Sequence, residues 1–437
     1  MSEEKTIDAS PTKELFINIL TRDIGIKECI LDLLDNSIHN TIISNKMDVT
    51  KIFEGKEKRK SLSGTYIDIT FDSDKFEIDD NCGGISIEDA EKEVFRFGRV
   101  EHMPTGKGLG VYGIGMKRAF FKLGREISLF SKTAREELGV IIDVDKWLKE
   151  KDKWSYEFDY ADKLKKQAPK PERGVTINIT RLQKNVKKKF ETPFFVSDLV
   201  DQISETYALF IDLGLSITVN KKKVPISLPK FAEITQQRTH SEFNDVNISM
   251  MIGITPKTDR SPRGWYIFCN GRMVIGADKT YITGWGDKAE WNPKYNHFLG
   301  YLFLTSNKVE NLPWNTAKEG IEFESPVYQH ALGQMRAYGK PVRKYLADSY
   351  SSLDIESIPE RELLESASST SIKTVAKRNK TQFRPNIPKS VDTGSVNILY
   401  KRPKEQVEII KKSIKKPRFG PNKIGEYTFD YYINNVL

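Results

Sequence analysis

At 437 residues the chain has room for two or three domains with buried cores. Its three cysteines (Cys29, Cys82, Cys269) stand in no metal or redox spacing, which argues against a disulfide framework or a zinc site. The net charge of +9 is uneven: from Ser371 onward fifteen Lys/Arg face five Asp/Glu, a surplus of ten, so everything before is close to neutral.

The opening MSEEKTIDAS has no signal-peptide core, and no later stretch nears the ~20 apolar residues of a membrane span. A soluble, cytoplasmic protein is expected, nucleoid- or nucleus-associated if it binds DNA. Residues 26–40 (IKECILDLLDNSIHN) read as an amphipathic helix. Ile26, Ile30, Leu33, Leu34 and Ile38 form its apolar side, while Glu28, Asp32 and Asn36, four apart, stack on one face. A carboxylate one turn before an amide suits a site where a hard cation takes an oxygen ligand and water needs a base.

A strand at 65–71 (TYIDITF) and a hairpin partner at 75–78 follow, the latter running into Asp79-Asp80-Asn81-Cys82-Gly83-Gly84-Ile85. Residues 108–124 (GLGVYGIGMKRAFFKLG) then bring glycines that let backbone approach a phosphate chain, and a helix beginning near Gly115. Lys117 falls in its first turn, where a cation is mildly unfavourable unless an anion is near. The literal G-x-G-x-x-G at 108–113 is no dinucleotide fingerprint, because the preceding RVEHMPTGK is polar and holds Pro104, so it is no strand. No Walker-type G-x-x-x-x-G-K-[ST] occurs.

LDLLDNSI, DDNCGGI, GVYGIGMKRA and GVTINI (residues 174–179) resemble the four successive nucleotide-binding motifs of the GHKL ATPases. That superfamily includes gyrase, ninety-kilodalton heat-shock chaperones, MutL proteins and histidine kinases; the spelling is most similar to its MORC-like branch. The resemblance implies ATP and Mg²⁺ as cofactors, with Asn36 as the magnesium ligand. It implies that Asp80 reads the adenine amine, that Gly84 lets the base lie against the turn, and that Thr176 completes the adenine pocket. Gly110, Gly113 and Gly115 look like the phosphate-cradling lid glycines, with Lys117 a basic residue beside them. Asp32 stands where the family has its catalytic glutamate, one methylene shorter, and Glu28 lies a further turn away. His39 stands where the first motif usually ends in aspartate and reads as a surface histidine at a helix end. Cys29 and Cys82 read as small packing residues. The shortened base implies slow hydrolysis.

After Asn185 the pattern changes to a helix near 197–213 and strands near 215–219, 246–254 and 265–268. Asn270-Gly271-Arg272-Met273-Val274-Ile275, with Leu312-Pro313-Trp314-Asn315-Thr316-Ala317-Lys318 some 40 residues on, is similar to the second domain of MORC, MutL and gyrase proteins. There a lysine, matched by Lys318, reaches the terminal phosphate. Histidine kinases lack such a domain, and no H-box helix is seen. Residues 366–371 (SASSTS) read as a flexible joint before a lysine-rich tail. In that tail Val407, Ile410 and Ile414 stripe one helix, and Tyr427, Phe429, Tyr431 and Tyr432 make an aromatic end.

The expected fold is α+β: a Bergerat-type α/β sandwich over 1–185, a transducer-like α/β domain over 186–350, and a linker with basic extension over 351–437. The expected function is a MORC-like ATPase acting as an ATP-gated homodimer clamp on DNA. A chaperone-like remodelling clamp and an ATP-switched regulatory or defence module with little turnover are the alternatives.

Overall fold

The computed structural model describes residues 11–51, 61–98, 109, 113–150, 153–232, 236–256, 259, 261–286, 292–351, 368–376, 382–383, 398 and 401–436. Two compact units result, Met1–Ile387 and Pro388–Leu437. The larger is α+β, and among the described residues no helix is long and apolar enough to cross a membrane.

Two helices open the chain: α1 (Lys13–Arg22), capped by the Thr12 side chain, and α2 (Ile26–Ser44). The latter outruns the expected helix, so His39 lies inside it, half-buried, rather than at its end. Next come β1 (Tyr66–Phe71) and β2 (Phe76–Asp80), paired antiparallel as the alternation predicts. The short α3 (Ile87–Asp89) passes into a π-helical turn, Ala90–Val94. Beyond it lie α4 (Gly115–Leu123), β3 (Glu126–Lys132), β4 (Glu136–Asp143), α5 (Val144–Lys149), β5 (Phe158–Lys163) and β6 (Gly174–Thr180). Helices α6 (Lys184–Phe190), α7 (Phe195–Thr206) and α8 (Ala208–Asp212) lead to β7 (Ser216–Val219) and β8 (Lys222–Lys223).

These strands form one sheet in the order β5-β4-β3-β6-β2-β1-β7-β8. The sheet therefore runs past the boundary expected at 185, because β7 pairs in parallel with β1, Tyr66 opposite Ser216. Strand alternation turns Ile67, Ile69, Ile78, Ile127, Leu129 and Ile177 inward, into the core shared with Ile30, Leu33, Leu34 and Ile38 of α2.

A second sheet follows. After the two-residue β9 (Phe231–Ala232) come β10 (Gln236–Phe243), β11 (Val246–Ile254), β12 (Gly264–Cys269), β13 (Arg272–Asp278) and β14 (Phe298–Thr305), ordered β10-β11-β14-β12-β13. Every residue of β12 and β14 is buried, as expected of strands covered on both faces. The long α9 (Pro326–Ser351) packs against β11 and β14.

The expected joint at 366–371 is not free in its described part. Ser369–Thr370 (β15) pair with β9, and α10 (Ile372–Ala376) seats Val375 completely inside the body. The smaller unit holds α11 (Lys404–Ser413) and α12 (Pro421–Asn435). Val407, Ile410 and Ile414 are half-buried and Ile424 is buried, whereas Phe429, Tyr431 and Tyr432 are each more than half exposed.

The docking of 368–376 generates a stability prediction. A chain ended after Ser366 should unfold at lower urea than one ended after Ile387. The difference should be on the order of 2 kcal/mol, the cost of exposing one aliphatic side chain and its seat. Equal midpoints would show that the segment contributes nothing.

Candidate functional site

The site is built on α2. Its apolar periodicity seats it so firmly that Asp32 and Asp35, three residues apart, are both buried (5% and 2% exposed). A buried carboxylate needs a partner. Asp32 takes the Arg118 guanidinium of α4 in a two-point pair, Nε to Oδ2 at 2.5 Å and Nη2 to Oδ1 at 3.0 Å. Gly115, the first residue of α4, lies against the same group: a Cβ there would sit 3.1 Å from the Asp32 Cγ. Burial pushes the Asp32 carboxyl up, and the Arg118 contact pulls against it.

Asp35 is met from the second sheet. Arg272, at the start of β13, donates from Nε to Oδ1 at 3.0 Å, and Lys318 donates from Nζ to Oδ2 at 2.7 Å. The Tyr207 hydroxyl lies 2.7 Å from Oδ1. Burial opposes ionisation of Asp35, yet Arg272 and Lys318 together hold its carboxyl below the ordinary range. Lys318 adopts a left-handed backbone, φ 56°, costly for a residue with a side chain. That conformation is held by Arg272, whose Nη1 donates to the Lys318 carbonyl, and by the bond from Lys318 N to the Asn315 carbonyl at 2.9 Å. Removing Asp35 would leave two buried cations without their carboxylate, a loss of about 3–5 kcal/mol for a broken buried pair.

Arg118, Arg272 and Lys318 thus answer the two buried carboxylates of the helix that carries Asn36. Asn36 is half-buried, and its amide has no hydrogen-bond partner among the described residues. Such an unengaged oxygen fits a ligand to a hard cation. No group of three or more His, Cys, Asp or Glu gathers among the described residues.

Five residues along α2 from Asp32, Ser37 donates to Asp80 Oδ2 at 2.5 Å. Asp80 Oδ1 accepts from Cys82 N at 2.8 Å and Val175 N at 3.2 Å. Burial pushes this carboxyl up to about 6. Gly84, at φ 78°, presses on the Lys132 carbonyl, which a Cβ would meet at 2.2 Å. So β3 demands glycine there, whatever lies against the turn.

Thr176 is not brought to Asp80. Alternation along β6 buries Val175 and Ile177 and turns Thr176 to the opposite face, where its hydroxyl donates to Asp79 Oδ1 at 2.5 Å. A recess of about 300 Å³ is lined by Tyr66, Asp79, Asp80, Phe130, Tyr160 and Thr176 among others. The residue sharing a face with Asp80 is Val175. The apolar run Val175, Ile177, Ile179 carried that signal in the sequence.

Lys117 is buried with its Nζ on the Val94 carbonyl at 2.9 Å, and burial pulls its ammonium down to about 8. It makes no ion pair among the described residues. Gly113 has φ 65°, suited to a glycine turn before α4, while Gly110 lies outside the described residues. Glu28 is half-buried and folded over Gly25. Across from it, the Glu319 carboxyl is pushed up by burial and by Glu28 itself. Cys29 and Cys82 are buried, their thiols pushed up by burial, which fits packing roles.

Sequence reasoning passed over Asp35, Arg118, Tyr207 and Arg272 as site residues. Asp35 had a visible signal, an acidic residue among the buried positions 31, 34 and 38 of the helix. Residues 24–169 match the family model described as histidine kinase-, DNA gyrase B- and HSP90-like ATPase. No curated protein matches the chain. The matched stretch contains α2, β1 to β5 and α4; β6, Arg272 and Lys318 lie beyond it.

The buried Asp80 yields a pH prediction. Its folded value near 6 exceeds the ~3.9 of a free aspartate, so between these values the folded chain holds a proton the unfolded chain has released. The resulting stability is fully present below about pH 4 and lost as pH rises through 6. Urea unfolding should therefore show the parent losing on the order of 2–3 kcal/mol between pH 4 and 6.5 relative to Asp80→Asn. Parallel profiles would mean that Asp80 titrates normally.

Proposed function

We propose that this chain, whose N-terminal domain belongs to the GHKL ATPase superfamily, binds Mg·ATP along α2 and uses the terminal phosphate to gate a homodimeric, MORC-like clamp on DNA. The observation that carries this reading is the meeting of Lys318 and Arg272, from the second sheet, with Asp35, the residue next to Asn36. The group that would sense a terminal phosphate is thereby attached to the helix that would hold the nucleotide.

In this reading Asp80 accepts from the adenine amine, Asn36 holds the magnesium, and the α4 N-terminus with Gly113 and Gly115 faces the phosphates. Magnesium, when bound, neutralises phosphate charge and orients the terminal group. The phosphate competes with Asp35 for Lys318. Transfer of Lys318 from carboxylate to phosphate changes the contact between the two sheets, and loss of the phosphate returns it. Asp32 is the candidate water-activating carboxylate and Glu28 the more remote one. A switch with little turnover, as in a regulatory or defence module, is favoured by one observation: both Asp32 oxygens are engaged by Arg118.

DNA is proposed as the partner because the positive surplus gathers in the last 67 residues, which also expose the aromatic rings Phe429, Tyr431 and Tyr432. A chaperone-like clamp would make that charge incidental.

Two measurements test the reading. Asn36→Ala should lower Mg·ATP affinity at least tenfold by calorimetry while leaving the melting curve in place, since alanine is well tolerated in a helix; unchanged affinity would remove α2 from the nucleotide site. Ending the chain after Ile387 should preserve ATP binding but weaken duplex DNA binding and flatten its salt dependence, each lost phosphate contact lowering the slope by about 0.9. Full-length protein that ignores DNA at low salt, or a truncation that binds as tightly, would move the assignment to a protein client.

A further inference from the structure

The two-point pair between Asp32 and Arg118 joins residues of two of the motifs, LDLLDNSI and GVYGIGMKRA, and it falls on the carboxylate that stands where a catalytic glutamate is expected. Arg118 donates to both Asp32 oxygens. Gly115 covers the same group from the start of α4, close enough that an added Cβ would stand 3.2 Å from Oδ1. The Asp32 and Arg118 side chains are only 5% and 10% exposed. A general base must offer a lone pair to the water it deprotonates, at about 2.6–3.2 Å. In this arrangement each Asp32 oxygen already accepts from the guanidinium, and the carboxylate is almost wholly shut off from solvent.

We propose, on the reading above that Asp32 activates water, that Arg118 is a positioning residue which governs the rate: hydrolysis proceeds only when it surrenders one Asp32 oxygen. The step is then balanced. Water attacks the terminal phosphorus while its proton passes to the freed Asp32 oxygen. The bond from that phosphorus to the bridging oxygen breaks, its electron pair leaving with ADP, and the proton returns from Asp32 to the released phosphate. The guanidinium keeps its other N–H on Asp32, so the base stays oriented and ionised in its buried place. One helix carries the pair's cation and, at Gly115, the group that covers its anion, so a shift of the α4 N-terminus changes both at once.

Substitutions that loosen the pair without removing its donor test the proposal. Arg118→Lys keeps the charge but cannot bridge both oxygens in a fixed plane. Arg118→Gln keeps one donor and leaves one oxygen open, and carries the test should the lysine variant not fold. With full-length protein, single-turnover hydrolysis should rise roughly tenfold in either variant, with Mg·ATP affinity by calorimetry unchanged. Adding Asp32→Asn should abolish the gain, which a merely structural role for Arg118 does not require. A rate no higher than the parent's, including no hydrolysis in any form, would overturn the proposal. So would affinity that falls in step with the substitution, which would make Arg118 a phosphate ligand instead. Failure of the parent to bind Mg·ATP at all would count against both this proposal and the nucleotide-site reading beneath it, whereas tight binding with no faster variant counts against the role of Arg118 alone.

Discussion

A carboxylate buried as deeply as Asp35 is stable only with its charge answered, and the groups that answer it come from far along the chain. Arg272 starts β13 and Lys318 sits in the loop beyond β14, so the second sheet is held to α2 through one side chain. The geometry is selective as well as attractive. Arg272 spans the Asp35 carboxylate and the Lys318 carbonyl, which keeps Lys318 in its left-handed conformation and aims its ammonium at the same carboxylate. A lysine alone would be a flexible point charge; here its backbone is set by an arginine.

The helix that receives these contacts also organises the rest of the site. Ser37 ties it to Asp80, Asp32 ties it to α4, and Asn36 lies between. From Asp32 to Ser37 the helix rises about 7.5 Å, so the two ends of the site are fixed to one rigid rod. A displacement of α4 or of the Lys318 loop therefore acts on α2 directly. Such coupling needs stiff surroundings, which the apolar sheets supply. The eight residues of β14 are all buried, and close-packed interiors transmit displacement instead of absorbing it.

The smaller unit follows a different logic. Its two helices bury Ile424 and half-bury Val407, Ile410 and Ile414, yet leave Phe429, Tyr431, Tyr432 and Ile433 in solvent. Lys416 lies 4.8 Å over the Phe419 ring, so part of the positive charge is already set against aromatic faces.

Local periodicity was enough to read α2, the β1–β2 hairpin, the helix after the glycines and the strands of the second sheet, because each depends on residues a few positions apart. The motif order was likewise legible, and the ATPase family model matched by residues 24–169 agrees with it. What the sequence could not decide was which charges meet. Asp32 and Arg118 are 86 residues apart, Asp35 and Arg272 are 237, and Asp35 and Lys318 are 283. At such separations only the closure of both sheets around α2 determines which cation reaches which carboxylate. The same holds for the sheet edge, where β7 joins β1 across some 150 residues, and for Val375, whose seat exists only once β9 and β15 have paired. Thr176 marks the boundary between the two kinds of information. Its position in the motif suggested the adenine pocket, but a strand's period of two puts it on the other face, beside Asp79.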